Sequence, residues 1–366
     1  MRTRYRTAAW SAGLAVALAI VILLSASIGP VPIDPSVVAM ATLNAIGIPS
    51  SVSASVHTTT LVGATIPVPD LAVGYTYLFS FAIPDTSELI VRELRLPRIV
   101  LGAVVGFALG TAGAVMQGFF RNPMADPSII GVSTGAAVGA VATIAFPLSI
   151  PFGLQTAAFV GAVVTAFVVY LIATENGHTP VATLLLAGVA VQTFLGSIVS
   201  FLLLQSGESL EQAVYWLMGD LSASGWSEVE VTLPVVAVLF VVLVPFARDL
   251  NVLMLGEEDA QTLGIPVEWT KRLLLAVSSV LTAAAVAVAG VIGFVGLIVP
   301  HVMRLLVGPD HRILLPTSAL AGATFLVATD TLARAGPQEL PVGIVTAALG
   351  APFFLFLLVR REVHEL

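Results

Sequence analysis

Long apolar runs, separated by short polar breaks marked by proline or glycine, organise most of this chain. A helix that crosses a hydrocarbon layer needs about 20 mostly apolar residues. Ten stretches approach that length: 8–29, 96–119, 128–146, 152–173, 182–204, 231–247, 272–292, 294–307, 314–333 and 341–359. The last-but-two pair meets around Gly290–Gly296 with no polar loop between its members, which leaves nine or eleven spans as alternatives. The pattern predicts an all-α, polytopic transmembrane helical bundle, with residues 1–366 forming one domain. Its first run, Ala8–Leu24, follows Arg2, Arg4 and Arg6. A cleaved secretory signal has this layout but an apolar core of only about 7–15 residues, so the pattern favours a retained first span.

Three stretches do not fit a span. Residues 30–94 form a long, proline-rich outer connection carrying Asp70, Asp85, Glu88 and Glu93, with apolar pieces such as "VVAMATLNAIGI". The composition predicts partly helical structure lying on the outer membrane surface. Residues 205–230 predict an outer loop with a short helix, whose Tyr215, Trp216 and Trp226 suit the headgroup level that aromatic rings favour. Residues 248–270 form the largest inner loop. Within it, "LGEEDAQTLGI" (Leu255–Ile265) predicts a short helix. Glu257, Glu258 and Asp259 stand at its positive N-terminal end, Gly264 is placed to end it, and Pro266 prevents continuation. Ala260 and Leu263 would share one side. The segment is too short and too polar to span. Its acids argue against a helix lying on the anionic inner leaflet and favour docking to a soluble partner.

Glycines mark how the helices pack. Membrane helices associate through close approach of small residues. Gly102, Gly106 and Gly110 recur every four positions, as do Gly131, Gly135 and Gly139, so each set lies on one helix face. Between them sits "RNPMADP", Arg121–Pro127. Its prolines cannot continue a helix, and Asp126 is placed to cap the next one. A rigid inner hairpin between two packed helices is expected.

Composition then fixes the solvent. The 366 residues are 57% hydrophobic and 10% charged, against about 25% charged in a soluble domain. Mean hydropathy is +1.01. Arginine placement orients the chain. Arg2, Arg4, Arg6, Arg121, Arg248, Lys271, Arg272, Arg304, Arg312, Arg360 and Arg361 fall inside, leaving Arg92, Arg95, Arg98 and Arg334 outside. Both termini are then cytoplasmic. Acids outnumber bases, 22 to 15, and Lys271 is the sole lysine. This composition suits a high-salt medium and argues against nucleic-acid binding, which wants basic patches.

Common chemistries are excluded in turn. Without cysteine there is no disulfide or thiolate metal site. His57, His178, His301, His311 and His364 lack ligand spacing, and the terminal "HEL" stops short of a second zinc-binding histidine. No phosphate-binding G-x-x-x-x-G-K-[ST] loop and no G-x-S-x-G nucleophile elbow occurs. The expectation is a transport protein with no catalytic residue, cofactor or metal of its own. Asp330 and Arg334, four apart near an outer helix end, are placed to pair locally. A carrier driven by ions or protons would show more buried acids, yet remains the alternative to an ATP-driven system.

Six blocks in order carry a resemblance: "LRLPRIVLGAVVGFALGTAGAVMQGFFRNPMADPSIIGVSTGAAVGA", "LLLAGVAVQ", "YWLMGDLSASGW", "LGEEDAQTLGI", "GVIGFVGLIVPHVMRLLVGPDHRILLP" and "ELPVGIVTAALGAPFFLFLL". Together, over roughly residues 90–360, the chain resembles the permease subunits of ATP-binding-cassette importers for vitamin B12, iron–siderophore complexes and haem, and most of all the B12 members. The resemblance implies ten helices per subunit in the type II importer fold, a homodimer with the pathway at its interface, two separate ATPase subunits inside, and a binding protein docking outside. It implies that Gly256, Glu257, Glu258, Ala260, Gln261, Leu263 and Gly264 form the coupling helix that enters a cleft on the ATPase. It implies that Arg95, Arg98 and Arg334 receive acidic residues of the binding protein. The family's cytoplasmic gate maps to Asn122 and Met124 in one turn and to Val181 and Ala182 before another helix. The B12 permease has hydroxyl residues at the latter pair. Here both are apolar, which makes a hydrophobic constriction the alternative closure.

Overall fold

A computed structural model describes residues 2–29, 31–61, 64–146, 153–336 and 338–359. Arg360, Arg361 and His364 lie outside the described residues. The helices are α1 (Arg2–Ser27), α2 (Pro35–Asn44), α3 (Asp85–Leu89), α4 (Leu96–Phe119), α5 (Val132–Ala145), α6 (Gly153–Ala173), α7 (Val181–Gln205), α8 (Leu210–Leu217), α9 (Trp226–Leu243), α10 (Ala247–Leu253), α11 (Glu257–Thr262), α12 (Val267–Ala289), α13 (Val295–Val307), α14 (His311–Arg334) and α15 (Val342–Val359). A π-helical stretch, Ile90–Arg95, joins α3 to α4 without a break. Among the described residues, seven helical segments can cross a membrane by length and composition, and α5, α13 and α15 are shorter apolar helices. These match the ten expected stretches one for one.

The doubtful junction at Gly290–Gly296 is resolved by backbone torsion instead of a polar loop. Gly290 ends α12 with φ +67°, and Phe294 starts α13 with φ +69°. Two spans therefore meet in residues 290–294.

The outer connection departs from expectation. It contains the α2 helix, N-capped by Asp34, whose Oδ1 accepts from Ser36 N at 2.8 Å. It also contains two long antiparallel strands, β1 (Gly47–Leu61) and β2 (Ala64–Tyr77), paired from Gly47 opposite Tyr77 to Leu61 opposite Ala64 with a one-residue register shift between Pro49 and Ser51. The alternating "SVSASVHTTT" carries the two-residue period of a strand, so strands stand where partly helical structure is expected. Pro67 and Pro69 sit in β2 because a two-stranded sheet leaves one edge of each strand unpaired. The buried Asn44 fastens the base: Nδ2 donates to Phe81 O at 2.9 Å, and Oδ1 accepts from Phe81 N at 2.8 Å.

The core is built around α4, almost wholly buried, with α14, α12, α13 and α9 against it. The glycine faces do what small residues do in lipid, but the two sets do not close on each other. A Cβ at Gly106 would strike the Gly322 carbonyl, and one at Gly110 the Ser318 carbonyl, so that face receives α14. Gly135 and Gly139 instead meet Gly161 and Ala157 on α6. The expected hairpin of two mutually packed helices is thus replaced by two helices that each find another partner.

Candidate functional sites at the two ends of the bundle

At the end expected from arginine placement to face outward, here called the outer end, the structure brings the three expected arginines into one cluster and turns them inward. Arg98, on the first turn of α4, faces Asp330 on α14. Its Nε is 3.1 Å from both carboxylate oxygens, and Nη2 is 2.7 Å from Oδ1. Arg334 Nε donates to Asp330 Oδ2 at 3.1 Å, the expected local pair, and Nη2 donates to Ser25 Oγ of α1 at 2.7 Å. Arg98 Nη1 also contacts Glu339, whose side chain is 45% exposed while that of Asp330 is 2% exposed. Arg95 donates to the backbone oxygens of Ala26 and Val31. A helix leaves its last carbonyls without partners, and Arg95 closes the end of α1 in this way. Three cations therefore face two carboxylates. Glu339 carries no local sequence signal, and the meeting of Arg98 with Asp330 spans 232 residues, beyond the reach of any local pattern.

At the inner end, "RNPMADP" forms the expected tight turn. Arg121 takes a left-handed φ of +48°, and Asn122 Oδ1 accepts from Met124 N at 2.9 Å. Asp126 caps a single 3-10 turn, Pro127–Ile130, accepting from Ser128 N at 2.8 Å. Burial pushes the Asp126 carboxyl up, while its bonds to Ser128 pull it down. The turn meets α7 at Gly188, beside Ile129 O, and at Gln192, whose Nε2 donates to Ile129 O at 2.7 Å. Among the described residues, no hydrogen bond joins Asn122 or Met124 to Val181 or Ala182. Asn122 and Ala182 are exposed, and Met124 and Val181 are half-buried.

The short helix α11 is an isolated knob below the bundle. Gly264 N donates to Gln261 O and Ile265 N to Ala260 O, both at 3.0 Å, with Gly264 at φ +84°. This pair of bonds is the Schellman ending that glycine favours. Ala260 is fully buried, whereas Leu263, which still donates its N–H to Asp259 O at 3.1 Å as in a continued helix, is 64% exposed. Glu258, Asp259 and Gln261 are exposed beside Leu263, and Leu255 and Trp269 are exposed nearby. Acids ringed by bare apolar groups form a surface suited to a protein partner.

A central helix locked by glycine contacts within a polytopic bundle of apolar helices defines a multi-pass membrane protein. The sequence matches the FecCD transport family over residues 17–360, and the chain belongs to that family. It is 59% identical to the cobalamin import system permease protein BtuC of Halobacterium salinarum, over 99% of this chain and 98% of that one. It is 42% identical to the vitamin B12 import system permease of Vibrio cholerae, over 80% and 89%. It is 40% identical to the hemin transport system permease HmuU of Yersinia pestis, over 80% and 90%. A metal-chelate type ABC transporter solved in an inward-facing conformation superposes with a TM-score of 0.78 at 30% identity, covering 96% of this chain and 98% of that one. The chain is therefore a multi-pass membrane permease of an ATP-driven importer of the metal-chelate class. It is a transport component, and a separate subunit hydrolyses the ATP.

Proposed function

We propose that this permease imports cobalamin across the cell membrane, as one of two identical subunits enclosing the pathway, with both termini in the cytoplasm. The observation that carries the cargo is the near full-length likeness, 59% identical, to a cobalamin permease. Haem and iron–siderophore complexes are the next candidates.

Two ATPase subunits take hold of α11, one per copy, through Gly256, Glu257, Glu258, Ala260, Gln261, Leu263 and Gly264. The exposed acids and the bare Leu263 support this. A substrate-loaded binding protein docks over the outer cluster of Arg95, Arg98 and Arg334. The excess of positive charge there supports an acidic partner, with charge steering the approach more than tightening the complex. Asn122, Met124, Val181 and Ala182 form the cytoplasmic gate. The apolar pair supports closure by a hydrophobic constriction.

The test is uptake into proteoliposomes holding permease, ATPase and binding protein, challenged with cobalamin, haem and a ferric siderophore. Cobalamin uptake that needs ATP is expected. Accumulation by the permease alone, driven by an ion gradient, would overturn the reading.

A further inference from the structure

Lys271, the one lysine in the chain, is 5% exposed, and each of its acceptors belongs to a different functional element. Nζ donates to Glu257 Oε1 of α11 at 3.0 Å, to Thr179 O at 2.8 Å, and to Glu268 Oε1 of its own helix α12 at 3.3 Å. A lysine ammonium has three N–H donors, so all of them are engaged. Thr179 lies two residues before Val181, where α7 begins.

The segment that Lys271 grips is stiff. Asn176 and Gly177 both take left-handed φ values, +51° and +82°, and Glu175 and His178 exchange backbone bonds of 2.9 and 3.0 Å across them. That is a two-residue hairpin turn of the primed kind. Arg272 Nη2 donates to Gly177 O at 2.8 Å, Thr179 N donates to Glu268 Oε2 at 3.3 Å, and His178 Nδ1 lies 3.4 Å from Glu268. Pro180 then follows directly as the N-cap of α7. A pull on Thr179 is therefore delivered to the inner end of α7 with little slack between.

We infer that Lys271 is the link that transmits displacement of α11 to the inner end of α7, so that motor movement reaches Val181 and Ala182. This rests on the reading that α11 holds the ATPase and that those two residues belong to the gate. Lys271 touches neither nucleotide nor cargo and acts as a positioning residue. Charge-assisted bonds are shorter and about twice as strong as neutral ones, which suits a strut that must carry load. A purely structural role would predict equal losses in hydrolysis and transport.

The experiment uses the complete complex of permease, ATPase and binding protein in proteoliposomes, with Lys271→Met and Lys271→Arg. Cobalamin taken up per ATP hydrolysed should fall by about tenfold in Lys271→Met, a typical coupling between sites, while the ATPase still co-purifies. Lys271→Arg, which keeps the charge, should retain part of the coupling and serves where the methionine variant does not fold. Spin labels at Gln261 and at Ala182 separate the failures. In the wild type both should respond to trapping the ATPase with ATP and vanadate; in Lys271→Met only Gln261 should respond. If Ala182 still follows, or if uptake per ATP is unchanged, the inference is overturned. If Gln261 is silent in the wild type, the docking of α11 has failed and the link falls with it.

Discussion

Arg98 and Asp330 form a fork buried at the outer end of the bundle, with Nη2 2.7 Å from Oδ1 and Nε 3.1 Å from each carboxylate oxygen. Asp330 also receives Arg334, so one carboxylate bridges two guanidinium groups drawn from α4 and α14. Removing one partner of a buried pair strands charge at a cost of about 3–5 kcal/mol. Asp330→Asn should accordingly lower the thermal midpoint in detergent by several degrees. Glu339→Gln, at the exposed edge of the same cluster, should cost no more than about 1 kcal/mol.

Glu339 offers a test of the proposed docking of the binding protein on the arginine cluster. It already occupies Arg98 Nη1 with its own carboxylate, in the place an acidic partner would take. Glu339→Gln should raise affinity for the binding protein several-fold, measured by biolayer interferometry at low salt. Because exposed charges are screened within about 3 Å at 1 M salt, the gain should vanish there. A lower affinity in the variant would remove the arginine cluster from the docking ground.

The glycine contacts make an opposed pair of predictions. A methyl group at Gly322 would fall on the Gly106 carbonyl, whereas one at Gly13 on α1 meets nothing within 4 Å. Gly322→Ala should destabilise by about 1–3 kcal/mol through overpacking. Gly13→Ala should be neutral or slightly stabilising, since alanine is the better helix former by about 1 kcal/mol. Thermal unfolding of the two variants side by side decides the matter.

Asp310 gives the acid dependence. It caps α14, its Oδ1 accepts from Asn251 Nδ2 of α10 at 2.8 Å, and Arg312 binds both its oxygens. Arg312 hydrogen bonds foremost, then Asn251, hold the carboxyl at about 2 against an ordinary 3.8, while burial opposes them. Because the folded value lies below the unfolded one, the contribution is complete above about pH 4. It is lost as pH falls from there through about 2. Asp310→Ala should flatten that limb of the stability–pH curve and cost about 1 kcal/mol at neutral pH through the lost cap. A limb unchanged between pH 4 and 2 would contradict this.

The ten apolar stretches, the "RNPMADP" turn and the α11 helix were legible in the sequence because each depends on neighbours close along the chain. Lipid demands a run of apolar residues, proline ends a helix where it stands, and Gly264 reverses the chain on the spot. The β1–β2 hairpin is equally local, since its alternation is written in residues 51–60, although the apolar pieces around it favour a helical expectation. What tertiary structure alone decided is which distant groups meet: Gly106 with Gly322 instead of a glycine of α5, Arg98 with Asp330, and Lys271 with Glu257 and Thr179. A membrane helix shows its pattern of small and charged residues in one dimension. The partner it buries them against is set by crossing geometry among all the helices at once, and no spacing along the chain encodes that.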